Sequence, residues 1–191
     1  MKKEILIISS VSGGGKTTII REILKRHPER FHLAITATTR KPRHKEIHGK
    51  DYYFISEEEF QNYIKEEKFI EFAKVHQNYY GVPIFELENA KKQNRVLILN
   101  IDYQGMRTVK KKFSSKTLSI FLMPPSEEVW LKRLRSRNTE SEEEIQIRIQ
   151  EGKKEIEAAK EYDYIVINDD LEICLQEIQS ILKKEFILNE S

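Results

Sequence analysis

The chain has 191 residues, 39% of them hydrophobic and 34% charged, with a formal net charge of +2. That length suits one well-buried domain, no apolar run approaches the roughly 20 residues a membrane span needs, and so even a charge points to no polyanion; neither membrane nor nucleic acid is expected as a partner. The apolar run behind Met1, Lys2 and Lys3 is too short for a secretory core and the lone Cys174 cannot form an internal disulfide, which leads to the cytoplasm, while monomer and homo-oligomer both stay open.

Ile5 to Ile8 reads as a strand running into SSVSGGGKTT (Ser9 to Thr18), and an amphipathic helix over Thr17 to Arg26 follows, striped by Ile19, Ile20, Ile23 and Leu24 and stopped by Pro28. His32 to Thr38 is short, alternating and β-branched, predicting a second strand that delivers Thr36, Thr39, Arg40 and Arg43 to a loop. DYYFI predicts another strand, and Ser56 with Glu59 forms a capping box for a small helix through Phe60, Tyr63 and Ile64. Phe69 to His76 and Asn78 to Val82 predict an antiparallel pair. A helix over Ile84 to Gln93 leads to VLILNI (Val96 to Ile101), an apolar run of the kind buried on both faces of a parallel sheet, ending at Asp102. Next come a helix through Met106, Val109 and Phe113, a strand over Thr117 to Leu122, and a helix capped by Ser126 that holds Trp130, Leu131 and Leu134. Arg137 to Ser141 is polar and irregular; Ser141 with Glu144 caps a long helix, then Tyr164 to Ile167 is the last strand and Leu171 to Phe186 the last helix. Strands alternating with helices predict a parallel, three-layer α/β core with the glycine loop at the carboxyl edge of its first strand.

That loop carries the clearest chemistry. Glycines let successive N–H groups turn inward around a phosphate, and the next helix points its N-terminus at the same anion. Gly13, Gly14 and Gly15 form the cradle, Lys16 adds a mobile positive charge, and the Thr17 hydroxyl is placed for a magnesium ion; Ser10 stands where the motif has its first glycine. Arginines recur at Arg40, Arg43, Arg133, Arg137 and Arg148 in loops expected on the same sheet edge, which suits an acceptor that is itself a phosphate. Tyr52 and Tyr80 offer hydroxyls, and Glu71 offers two oxygens to a ring with adjacent N–H donors, such as guanine. The residues alone also allow blander roles: half-buried strand tyrosines, a solvent-facing Glu71, and Arg133 and Arg148 paired with nearby helix glutamates. The five histidines form no ligand-spaced set.

SGGGKTT, TTRKPR, HGKDYYF, FIEFA, NYYG, IDYQG, PPS, RNTES and VINDD stand in that order along the chain, and through them it resembles a guanylate kinase over almost its whole length. The resemblance implies an α/β, three-layer P-loop kinase fold with a parallel core sheet, a small mixed α/β GMP-binding region and a helical lid. It implies one domain over 1–191, with core 1–35, 83–136 and 158–191, GMP-binding region 36–82, and lid and flank 137–157. ATP with Mg2+ would be the phosphoryl donor and GMP or dGMP the acceptor. Ser12, Gly13, Gly14, Gly15, Lys16, Thr17, Thr18, Arg133, Arg137 and Asn168 would then bind ATP, with Asn168 beside the adenine. Thr36, Arg40, Arg43, Tyr52, Glu71, Tyr80, Gly81 and Asp102 would bind GMP, and Lys16, Arg40, Arg137 and Arg148 would carry the transfer. Thr17 directly, and Asp102 through water, would hold Mg2+. The alternatives are a binding module that keeps the fold without turnover, or a kinase of another small phosphorylated acceptor. Departures from the family pattern are Ser10, Val82 where a hydroxyl on the base is common, Thr36 for serine, and Asn100 for an acidic residue.

Overall fold

The computed structural model describes residues 3–75, 77–136 and 142–186. β1 (Ile5–Ser10) runs through the glycine loop into α1 (Lys16–Arg26), and β2 (Phe31–Leu33) follows. β3 (Ala37–Thr38), β4 (Tyr53–Phe54), α2 (Glu57–Lys65), β5 (Phe69–Val75) and β6 (Asn78–Pro83) make the middle of the chain. α3 (Ile84–Lys92), β7 (Val96–Leu99), α4 (Tyr103–Phe113), β8 (Thr117–Met123) and α5 (Glu127–Arg135) restore the alternation. α6 (Glu142–Ala158), β9 (Tyr164–Ile167) and α7 (Leu171–Phe186) complete it.

Five strands form one parallel sheet in the order β2-β7-β1-β8-β9. β1 is central and buried on both faces, so alternate residues enter different cores. Leu6 and Ile8 join Ile19, Ile20 and Ile23 of α1 and Cys174, Leu175 and Ile178 of α7. Ile5 and Ile7 join Leu87 of α3, Met106 and Val109 of α4 and Trp130 of α5. Helices on both faces of a parallel sheet make the three layers expected, and the glycine loop leaves the carboxyl end of the central strand, where strand order reverses and ligands bind. Burial holds the Cys174 thiol un-ionised, its pKa pushed up to about 11, as befits core filling.

The second sheet is small and mixed, in the order β4-β3-β6-β5, with β5 and β6 antiparallel and β3 parallel to β4. Its core is aromatic: Phe60 and Phe69 are buried with ring centroids 4.4 Å apart, and Tyr63 and Tyr79 pack against them. Ser56 Oγ accepts from Glu59 N at 3.0 Å, capping α2 as the sequence predicts.

One expectation is corrected. His32 to Thr38 is not one strand: Phe31–Leu33 lies in the large sheet and Ala37–Thr38 in the small one. The chain leaves the large sheet after Ala34, whose N–H still reaches Ile98 O at 3.0 Å; the following N–H, of Ile35, which faces away from β7, donates to the Glu86 carboxylate of α3 at 3.0 Å. The sequence keeps its short, β-branched alternation across both strands, so periodicity cannot see the break.

Candidate active site

Gly13 and Gly15 have φ of 86° and 89°, the left-handed region where a side chain is strained. The cradle's amides are aimed by what holds their peptide planes from behind, because C=O and N–H of a trans peptide point in opposite directions. Trp130 Nε1 donates to Ser12 O at 2.9 Å, which turns the Gly13 N–H away from α5. Asn168 Nδ2 donates to Gly14 O at 2.8 Å, which turns the Gly15 N–H away from β9. Arg133 Nη1 in turn donates to Asn168 O at 2.7 Å, fixing the turn that carries that asparagine. Ser10 Oγ donates to Leu122 O at 3.0 Å, so the departure from glycine ties the loop's first residue to β8, with the hydroxyl lying in space that Gly14, lacking a side chain, leaves open.

In front of the loop is a cavity of about 600 Å³, lined by Ser10 to Thr18, Tyr52, Asn100, Arg148, Glu151 and Glu155. Lys16 is half-buried at its wall; burial lowers its pKa, and the negative charges of Glu155 and Asp102 draw it back up. Burial raises Glu155 to about 7, with Lys16 acting against that rise and Asp102 and Glu151 adding to it. Arg148 Nη1 donates to Ser12 Oγ at 2.8 Å. Arg148, Glu151 and Glu155 stand at helical positions i, i+3 and i+7 of α6, one face in register with the loop. That spacing is visible in the sequence and is the signal by which the two glutamates could have been found.

A second cavity, of about 230 Å³, is lined by Thr36, Tyr52, Glu71, Ala73, Val75, Tyr80, Asn100, Ile101 and Asp102. Tyr52 and Asn100 line both cavities, so the two are neighbours across one shared wall. Glu71 is 6% exposed, which settles against a solvent-facing strand residue. Burial raises its pKa to about 7 and Asp102 adds to the rise, while the Val82 N–H and Lys112 oppose it. Val82 itself is buried in the core cluster that includes Ile70 and Met106 and does not line the cavity. Asp102 Oδ1 accepts from Gly105 N at 2.9 Å, capping α4 at the point where VLILNI ends.

Other predicted residues stand apart from the two cavities. Arg40 packs over Tyr52 with its guanidinium carbon 5.2 Å from the ring centroid, and its Nη1 and Nη2 each donate to Glu46 at 2.9 Å, which raises the arginine's pKa and lowers the glutamate's. Arg43 is exposed, its N–H donating to Glu46 Oε2 at 2.6 Å; Gly81 is buried in β6 opposite Ala37. Arg133 and Asn168 lie behind the phosphate loop, not in its cavity. Arg137 and the Ser141 cap lie outside the described residues.

Sequence reasoning missed three partners. Glu46 grips Arg40. Trp130 holds the loop. The buried Glu86 gathers His32 Nε2 at 2.9 Å, Tyr53 OH at 2.8 Å and Ile35 N, tying the large sheet to the small one; burial pushes its pKa up, but these contacts together bring it below the ordinary value.

A glycine loop with a lysine at a helix N-terminus, beside a smaller pocket with a buried carboxylate, defines a phosphotransferase of the P-loop class. The Guanylate kinase family model matches residues 2–185, and the chain belongs to the guanylate kinase family. It is 43% identical over 181 residues to the guanylate kinase of Rickettsia prowazekii (strain Madrid E), covering 95% of this chain and 91% of that one. The guanylate kinase of Synechocystis sp. is 40% identical over 185 residues, covering 97% and 96%. Among solved structures, the guanylate kinase of Anaplasma phagocytophilum superposes with a TM-score of 0.76 at 32% identity, covering 98% of this chain and 88% of that one. The SH3-kinase fragment of tight junction protein 3 shares the fold alone, at 10% identity and a TM-score of 0.52.

Proposed function

We infer that this chain transfers the γ-phosphoryl group of ATP to GMP or dGMP, giving ADP and GDP or dGDP. The observation that carries the reading is Glu71, a buried carboxylate facing a cavity whose wall is shared with the phosphate-loop cavity. An ionised carboxylate there accepts from the adjacent N–H donors of guanine, and the shared wall leaves the acceptor phosphate beside the donor.

The acceptor oxygen needs no side-chain base, because a phosphate monoester has its second pKa near ~6 and is largely ionised at neutral pH. The protein's work is positioning and charge neutralisation. The Gly13 to Gly15 cradle and Lys16 hold the donor, Arg40, Arg43, Tyr52 and Tyr80 receive the GMP phosphate, and Arg137 and Arg148 come over the transferring group. Where its carboxyl is ionised, Glu155 partly offsets the charge of Lys16 in the ligand-free site. Region 36–82 binds GMP, 137–157 acts as lid and flank, and the remainder, 1–35, 83–136 and 158–191, is the core. Asn168 serves the donor first by holding Gly14 O, whatever it adds at the adenine.

Among the described residues no group of three or more His, Cys, Asp and Glu could hold a metal ion. That fits Mg2+, which keeps much of its water and binds through one or two protein oxygens together with substrate phosphates. Thr17, exposed on the first turn of α1, and Asp102 would hold it. Bound there, it offsets charge on the phosphates. No described helix is long and apolar enough to cross a membrane, and the buried free thiol of Cys174 suits the reducing cytoplasm. The test is a coupled assay with Mg-ATP and GMP, dGMP, AMP, CMP or UMP. GMP and dGMP should turn over fastest; failure of GMP to outpace AMP, CMP and UMP would sink the reading.

A further inference from the structure

Trp130 is the one tryptophan of the chain and is fully buried. As a sequence feature it is an ordinary apolar position of α5. In the structure it has a polar task, because its indole N–H donates to the carbonyl of Ser12, the residue that opens the glycine cradle. The other side of the ring meets α6. Gly152 comes so close that a Cβ there would overlap Trp130 Cζ2. One turn earlier on α6, Arg148 donates to the Ser12 hydroxyl at 2.8 Å. Ser12 is therefore held through its backbone by α5 and through its side chain by α6, and α6 leans on the same indole. α5 and α6 are the two helices flanking residues 137–141.

We propose that Trp130 is a positioning residue for the phosphoryl donor: its indole aims the Gly13 N–H through the shared Ser12–Gly13 peptide plane and couples the seating of α6 to the phosphate loop. The proposal rests on the reading of ATP in that loop. Peptide planarity makes the link direct, since moving the Ser12 oxygen swings the Gly13 N–H by the same rotation. Gly152 is the complementary half, the absent side chain that lets α6 close onto the ring.

The test uses the full chain. Trp130→Phe keeps the ring packing and removes the donor; it should weaken binding of a non-hydrolysable Mg-ATP analogue by ~3–10-fold in calorimetry, the effect of losing one buried hydrogen bond, and leave the KM for GMP within about twofold. Gly152→Ala should weaken the analogue to a similar degree in the wild-type background and by less than about 1.5-fold in a Trp130→Leu background, because neighbours that share one contact are non-additive. Trp130 emission should shift on adding the analogue and not on adding GMP alone. Unchanged analogue affinity in Trp130→Phe and Gly152→Ala, with only a lower melting temperature, would mean the indole is mere core filling and would overturn the proposal. Wild-type protein that binds the analogue yet does not phosphorylate GMP would sink the functional reading while leaving this coupling to stand or fall on the same titrations.

Discussion

The donor and acceptor halves of the site are built on opposite plans. The phosphate loop binds with backbone amides, so its precision comes from groups that sit behind it and hold its carbonyls: Trp130 on Ser12 and Asn168 on Gly14. The acceptor cavity is walled by side chains, partly from β5 and β6 of the small sheet, whose fully buried apolar cluster is Ala37, Phe60 and Phe69, and partly from Asn100 to Asp102 just past β7. Within the cavity Glu71 feels opposing influences from Asp102 and Lys112, and behind its Tyr52 wall Arg40 is held by Glu46. Backbone recognition suits a triphosphate, whose charge is the same for every base; side-chain recognition suits the substrate that must be chosen.

The sharpest way to break that contrast is Lys16→Met, which removes the loop's mobile charge. Turnover should fall by ~10²–10³-fold, the scale of losing one preorganised group at a developing charge, with GMP affinity by calorimetry nearly unchanged. An equal loss of GMP affinity would mean the halves are not separate.

The acceptor half is probed by Glu71→Gln. With its carboxyl at about 7, Glu71 is mostly protonated at pH 6 and mostly ionised at pH 8, so wild-type affinity for GMP should gain roughly tenfold over that interval beyond any change in the variant. At pH 8 the variant's KM for GMP should be higher by ~10-fold or more. Stability moves the other way. A carboxyl raised in the folded state contributes stability below its unfolded pKa and loses it as pH climbs through about 7, so the glutamine should stabilise the ligand-free protein at pH 8 and hardly at pH 5. The gain expected is about 1–2 kcal/mol, or roughly 3–6 °C in melting temperature. A variant that neither loses GMP nor gains stability would remove Glu71 from the base site.

The smallest effect belongs to Ser10→Gly. It deletes the bond from Ser10 Oγ to Leu122 O while leaving the two braces behind Ser12 and Gly14 in place. Stability should fall by about 1 kcal/mol and the KM for ATP stay within about twofold. A larger change in KM would show that the serine tunes the loop.

Legibility in the sequence divides along the same line. β1, β7, β8 and β9 of the large sheet, the helix stripes and the Ser56 and Ser126 caps are local patterns, and the structure has them where spacing predicts. The glycine loop was equally plain, because a strand, a phosphate cradle and a helix N-terminus must follow one another in the chain. The break between β2 and β3 was not, since each half keeps the period of one strand.

By itself, then, the sequence determined the layers of the core, the position of the phosphate loop and, through motifs in order, the family. Only the tertiary structure decided which groups hold the loop: Trp130 and Asn168 lie 118 and 154 residues from the carbonyls they bind. It alone turned Val82 into the core, buried Glu71, and brought Glu46 to Arg40 and Glu86 to His32 and Tyr53. The physical reason is common to all of these. Periodicity reports which face of an element is buried, whereas a hydrogen-bond partner or a raised pKa depends on what the rest of the chain packs against that face.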